Sequence, residues 1–65
     1  MLIGSKIRKL RLEKGITQIE LAKKAGISNT YLSDIENERT NPSLKTLLKI
    51  AKALETNFDM IFHKE

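Results

Sequence analysis

Apolar residues recur along the chain at helical spacing, in stripes separated by short polar or glycine-containing breaks. The first stripe consists of Ile3, Ile7 and Leu10. Its spacings of four and three residues predict a helix from Ile3 to Lys14. Gly15 ends this helix, because glycine adopts the left-handed conformation past a last turn at the least cost. Leu12 lies on the side opposite the stripe, and the pattern leaves open whether it packs at the edge of the core or is half exposed.

The stretch from Thr17 to Asn37, TQIELAKKAGISNTYLSDIEN, predicts two short helices around a tight corner. Thr17 is a favourable N-cap, because its hydroxyl accepts a hydrogen bond from the first turn, and Glu20 can complete a capping box. Gly26 ends the first helix and Ser28 caps the second. Hydrophobic staples reinforce both helix starts and pair Ile16 with Leu21 and Ile27 with Leu32. The sequence thus specifies where both helices begin.

Two further helices are predicted after this stretch. Pro42 forces Asn41 out of helical geometry, so the fourth helix begins with Asn41 or Ser43 as its cap. Its apolar positions are Leu44, Leu47, Leu48, Ala51 and Leu54, and Ile50 widens the apolar face. The segment 57–62 predicts a short last helix. We therefore expect an all-α fold of five helices in one domain, residues 1–65, in which residues 43–62 supply core and dimerisation helices.

The composition limits the kinds of protein that the chain can be. With 65 residues there is room for one core, and a domain of this size is only marginally stable unless it packs well. The absence of cysteine excludes disulfides and thiolate metal sites. No apolar run approaches the roughly 20 residues that span a bilayer, and no secretory signal is present. We expect a soluble cytoplasmic protein without a membrane contact.

Positive charge is concentrated in the first four fifths of the chain. Residues 1–52 hold eleven Lys and Arg against five acidic residues, a net charge of +6, whereas residues 53–65 hold one Lys against three acidic residues, a net charge of −2. A basic surface favours a polyanion through counterion release. The alternative for any single lysine is an ordinary solvated helix face.

The capped two-helix stretch resembles the helix-turn-helix of the lambda-repressor-like, Cro-type family of bacterial and phage regulators. Counted from Gln18, the family's small residue falls on Ala22 and its turn glycine on Gly26. Its apolar core positions fall on Leu21, Ile27, Leu32 and Ile35. The segments RKLRLEKGITQ before the motif and NPSLKTLLKIAKAL after it extend the resemblance over nearly the whole chain. The resemblance implies a compact DNA-binding domain and a structural ion pair between Arg11 and Glu36; simple exposure is the alternative for Arg11.

In a helix-turn-helix, the second helix presents its amino-terminal residues to base edges in the major groove. The candidates for reading bases are Asn29, Thr30, Ser33 and Asp34. Asn29 ranks first, because an amide can both accept from and donate to adenine. Asp34 ranks last, because a carboxylate near phosphates more often repels them or holds an Arg.

Contacts to the sugar-phosphate backbone are expected mainly at helix amino termini, where unpaired amides and the helix dipole favour phosphate. Gln18 is the leading candidate, because the family places a phosphate-contacting Gln at this position. The other candidates are Ser28, Tyr31, Asn37, Arg39, Thr40 and Lys45. For Tyr31 a packing role is an equally open alternative.

The last fifteen residues contain seven apolar residues, which is a large number for so small a protein to hide. Part of this surface is therefore predicted to meet a second copy of the chain, through Phe58, Ile61 and Phe62. The alternative is that all three side chains fold back and seal the core of the single chain.

These patterns predict a homodimeric, sequence-specific regulator of transcription that binds a palindromic operator in double-stranded DNA, as a repressor or as a protein similar to restriction-modification controllers. An enzyme is not expected: His63 is the one histidine and has no plausible partner, and no glycine-rich loop is present. No cofactor, metal or small-molecule ligand is indicated. The competing hypothesis is an antitoxin-like interaction protein that binds a partner protein and binds DNA only secondarily, although the tail that such proteins often use is not seen.

Overall fold

The computed structural model describes residues 2–62, except for the side chains of Phe58 and Phe62. Within this range the chain forms five α-helices and no strand. They are α1 (Ile3–Glu13), α2 (Gln18–Ala25), α3 (Asn29–Glu36), α4 (Leu44–Ala53) and α5 (Phe58–Phe62). The predicted all-α class with five helices is confirmed. None of the helices in residues 2–62 has the length and apolar character needed to cross a membrane. The histidine His63 lies outside the described residues.

The two helices of the central motif begin and end through local hydrogen bonds. At the start of α2, the Thr17 hydroxyl accepts from the Glu20 amide at 3.0 Å, and the Glu20 carboxylate accepts from the Thr17 amide at 2.7 Å. Gly26 ends α2 in the left-handed conformation, with a φ of 72°. The Ser28 hydroxyl caps α3 at 3.0 Å. These reciprocal bonds satisfy amides that have no acceptor within the helix.

The core lies where the helices meet, with α2 packed against both α3 and α4, α1 against α3, and α5 against α1 and α4. The largest side chains buried there are those of Ile7, Leu21, Leu32, Ile35, Ile50, Leu54 and Ile61. Every one of the five helices contributes at least one of them. The buried faces of α2 and α3, which carry Leu21, Leu32 and Ile35, hold the motif in the core.

Helix α4 buries only part of its wide apolar face. It begins at the Ser43 cap, not at Asn41. Its buried residues are Leu47, Ile50 and Ala51, followed by Leu54 just after the helix. Leu44 and Leu48 are 61% and 49% exposed, so these two apolar positions lie outside the buried face. A single helix face covers only part of the circumference, and the stripe that faces the other helices passes through Ile50.

Helix α5 also differs from expectation. The Ile61 side chain is 1% exposed and packs into the core of the single chain, so it does not supply the outward-facing dimer contact that the sequence predicts. Met60 on the same helix is 54% exposed. The predicted contacts of the Phe58 and Phe62 side chains lie outside the described part of the structure. Leu12, left open by the sequence, is 55% exposed.

Candidate nucleic-acid interface

The amino-terminal turn of α3 is an outward-facing polar surface on a firmly held helix. Asn29 and Thr30 are its first two residues and are exposed. Within residues 2–62 neither side chain has a hydrogen-bond partner. The opposite face of α3 is fixed in the core by Leu32 and Ile35. Two polar side chains therefore point outward from a helix that cannot easily rotate.

One turn further along α3, the polar side chains already have partners within the protein. The side-chain amide of Asn37 donates to the Ser33 carbonyl oxygen at 2.9 Å and to the Ser33 hydroxyl at 3.3 Å. Asp34 Oδ1 lies 3.6 Å from Arg39 Nη1. Asp34 thus lies beside an arginine, which offsets its negative charge at this surface. This pair is exposed, so its contribution to stability is small, about 0–1 kcal/mol.

A buried polar network holds α3 against α1. Arg11 Nε donates to Glu36 Oε2 at 2.9 Å and Arg11 Nη2 donates to Glu36 Oε1 at 3.0 Å, which makes the pair bidentate. The side chains of Arg11 and Glu36 are 10% and 1% exposed. Arg11 Nη1 also donates to the carbonyl oxygen of Ile16, just before α2. This is the ion pair that the family resemblance implies, and it ties the motif to α1.

Gln18 extends this network to the start of α2. Its side-chain Nε2 donates to Glu36 Oε1 at 3.3 Å, a bond that has no signature in the sequence. Gln18 is also the first residue of α2, where a backbone amide has no acceptor within the helix. The network therefore fixes the amino terminus of α2 beside the carboxyl terminus of α3. An anion placed there would meet unpaired amides and the positive end of the helix dipole.

The other residues predicted to contact the DNA backbone fall into two groups. Ser28, Asn37, Arg39 and Lys45 are exposed, whereas Tyr31 and Thr40 are half-buried. The Ser28 hydroxyl accepts from the Tyr31 amide, and a hydroxyl in that role still has its own hydrogen to donate to a phosphate. Tyr31 packs against the core, as the packing alternative anticipates.

A second contact between α1 and the end of α3 gave no signal in the sequence. The Ser5 amide donates to Glu38 Oε2 at 2.8 Å, although the two residues are 33 positions apart. The residue before α1, Leu2, supplies no side-chain cap, so Glu38 takes that role from across the fold. Glu38 has a φ of 60°, a conformation that favours glycine. At the neighbouring Gly4, an added Cβ would lie 2.0 Å from the Ile35 carbonyl oxygen, so only glycine permits this approach.

One titratable group near the site has a shifted pKa. The hydrogen bond from the Thr17 backbone amide, followed by that with the Thr17 side chain, holds the pKa of the Glu20 carboxyl below its ordinary value. The nearby positive charge of Lys24 adds a smaller effect in the same direction. The capping carboxylate therefore stays ionised at neutral pH and supports the start of α2.

Comparison with known proteins places this geometry in a family. Residues 7–61 match the model of a family described as helix-turn-helix. The chain aligns over its full 65 residues with the immunity repressor protein of Bacillus phage phi105, at 45% sequence identity. The chain spans 45% of the length of that relative.

Solved structures show the same arrangement of helices. The crystal structure of the restriction-modification controller protein C.AhdI from Aeromonas hydrophila superposes with a TM-score of 0.90 and 35% identity, over 92% of this chain and 91% of that one. The P22 c2 repressor protein, crystallised with a synthetic operator, superposes with a TM-score of 0.85 and 36% identity, over 94% and 92% of the two chains. Both similarities extend well beyond the motif.

Proposed function

The chain belongs to the helix-turn-helix family, and we propose that it is a sequence-specific regulator of transcription that binds double-stranded DNA, as a repressor or as a protein similar to restriction-modification controllers. The observation that carries the proposal is the polar amino-terminal turn of α3, which is exposed while the rest of the helix is held in the core. An α-helix fits the major groove of B-DNA. The similar proteins described above include a phage immunity repressor and a repressor crystallised with operator DNA.

In this proposal, the residues of the motif divide between reading bases and holding phosphates. Asn29 and Thr30 read base edges, because no hydrogen bond within residues 2–62 occupies their side chains. Ser33 and Asp34 contribute less, since Asn37 and Arg39 already engage them. The residues that hold the backbone are Gln18, Ser28, Tyr31, Asn37, Arg39, Thr40 and Lys45. Contacts of this second kind set register and affinity without selecting a sequence.

We further propose that the regulator acts as a homodimer on a palindromic operator. Exposed leucines at Leu44 and Leu48, four residues apart on α4, and Met60 on α5 leave apolar surface on the carboxy-terminal helices. Phe58 and Phe62 remain predicted contacts at this interface, with Ile61 anchoring α5 from within the core. Two copies of α3 related by a two-fold axis require half-sites about 34 Å apart, which is one turn of DNA.

Two other expectations follow from the same assignment. We expect a regulator of this kind to act in the cytoplasm, and DNA binding requires no catalytic group. The antitoxin-like alternative is less well supported, because the similar proteins described above are repressors and a controller and because the polar turn of α3 is directed outward.

The variant Asn29→Ala tests the proposal. Binding is measured by fluorescence anisotropy on the duplex that the protein prefers and on a scrambled duplex of the same composition. Loss of a bidentate amide contact predicts a fall in specific affinity of about 5- to 150-fold, with little change on the scrambled duplex. Asn57→Ala removes the same group from an exposed position before α5 and serves as the matched control. Equal losses on both duplexes would mean that Asn29 does not read bases.

A further inference from the structure

The carboxyl ends of α2 and α4 lie side by side and form an open groove of about 600 Å³ between them. Its walls carry Lys23, Lys24, Lys49 and Lys52. Ala25, Gly26 and Ala53 line the space between them, and Glu55 is the single acidic residue among the lining residues. The groove therefore combines four positive charges with a floor of methyl groups and backbone.

None of the four lysines forms an ion pair within the part of the chain that the structure describes. All four lysines are exposed, and within residues 2–62 none lies within 4 Å of a carboxylate oxygen. Lys49 and Lys52 are three residues apart on α4, a spacing at which like charges repel. The helix dipole favours a lysine in each last turn, which accounts for Lys23, Lys24 and Lys52 one by one. The helix dipole does not explain why the last turns of α2 and α4 lie side by side, where the positive charges of their lysines add.

The groove lies away from the surface proposed to bind DNA. Gln18 begins α2 and Lys45 is the second residue of α4, so the proposed backbone contacts are at the amino ends of these helices. The groove is at their carboxyl ends. Helices of 8 and 10 residues are about 12 and 15 Å long, so most of the length of α2 and α4 separates the groove from Gln18 and Lys45. Gly26 is the one lining residue close in sequence to Ser28 and the start of α3. A partner held by the four lysines is therefore expected to leave α3 free to occupy DNA.

We propose that this groove docks an acidic, extended segment of a partner protein. Four ammonium groups distributed over two helices match several carboxylates spaced along a peptide better than they match one compact phosphate. The methyl-lined floor accepts small apolar side chains between those carboxylates. The claim that the groove is separate from the DNA-binding surface rests on the proposed function, and the experiment below tests peptide binding and DNA binding separately.

The probe is a fluorescein-labelled decapeptide in which glutamate and alanine alternate, titrated at physiological ionic strength and followed by anisotropy. We expect saturable binding to the intact chain. We also expect the dissociation constant to stay within about twofold when the preferred DNA duplex is present at saturation. Displacement of the peptide by the duplex would place the peptide on the DNA-binding surface, and absence of binding to the wild-type protein would equally overturn the proposal.

A pair of charge-matched variants locates the peptide. Lys23→Gln/Lys52→Gln removes one lysine from each wall of the groove, whereas Lys9→Gln/Lys14→Gln removes the same charge from exposed positions of α1 and its end. The groove variant should bind the peptide about fivefold or more weakly than the α1 variant, as expected for two charge pairs. Both variants should bind the duplex equally.

Three results of this comparison would contradict the proposal. Equal losses of peptide binding in the two variants would show that only net charge matters. A loss of duplex binding confined to the groove variant would make the groove part of the DNA interface. Unchanged peptide binding in the groove variant would place the peptide elsewhere. A loss of DNA binding by Asn29→Ala bears on the proposed function alone, so the two proposals fail independently.

Discussion

Removal of the Arg11 guanidinium should destabilise the fold by an amount comparable to its whole stability. In Arg11→Met, the Glu36 carboxylate, 1% exposed, loses donors at 2.9 and 3.0 Å and keeps only the Gln18 amide at 3.3 Å. Breaking a buried pair from one side costs about 3–5 kcal/mol, because a charge stays buried without compensation. A chain of 65 residues has a free energy of unfolding of about 3–10 kcal/mol. The variant should therefore lose a large part of its stability and, at the lower end of that range, lie close to its unfolding midpoint.

Urea and thermal unfolding, followed by far-ultraviolet circular dichroism, measure this loss. Arg39→Met is the matched control, because the Arg39 side chain is 69% exposed and its pair with Asp34 contributes little. The double variant Arg11→Met/Glu36→Leu removes both charges and should recover most of the stability, since the cost arises from the unpaired carboxylate. A cost below about 1 kcal/mol in Arg11→Met, or a double variant no more stable than the single one, would refute this reasoning.

Three further predictions follow from the hydrogen bonds and contacts of α1 and α2. Gln18→Ala should weaken binding to all duplexes similarly, because Gln18 is placed at a helix amino terminus and not in α3; selective loss on one sequence, in a competition assay, would show otherwise. The folded-state pKa of Glu20 is lowered, so its contribution to stability is full above the ordinary value of 4.5 and is lost as the pH falls through the folded-state pKa. The variant Glu20→Gln should therefore show a smaller fall in the urea midpoint on the acid side, and an unchanged profile would exclude the capping carboxylate as the source of that fall. Gly4→Ala should lower the free energy of unfolding by about 1–3 kcal/mol, because the new methyl group meets the Ile35 carbonyl oxygen and this outweighs the better helix propensity of alanine. A more stable variant would contradict that packing.

Features set by neighbouring residues could be predicted from the sequence. The caps at Thr17 and Ser28 and the turn at Gly26 depend on groups within three or four positions of one another, and the structure shows all three. The ion pair of Arg11 and Glu36 joins residues 25 positions apart. The spacing of apolar residues carries no information about such a pair. The ion pair was expected only from the resemblance to a family.

Features set by packing between distant elements could not be predicted in this way. The apolar spacing of α4 places Leu48 on the predicted face as well as Leu47, and only the docking of α2 selects the stripe that is buried. The same holds for Ile61, whose burial depends on α5 returning to α1 and α4. The bond from Ser5 to Glu38 has no sequence signature, because an exposed glutamate after a helix is ordinary.

Sequence-specific binding of DNA by a two-fold dimer is best tested by selecting duplexes from a randomised library at physiological salt and sequencing the bound pool. The proposed two-fold dimer, with one α3 in each half-site, predicts an inverted repeat with half-sites about one helical turn, roughly 34 Å, apart. Such a motif should disappear from the pool selected with Asn29→Ala. A pool without any motif, with binding that collapses as the salt concentration rises, would leave only affinity for polyanions and would contradict the proposed function.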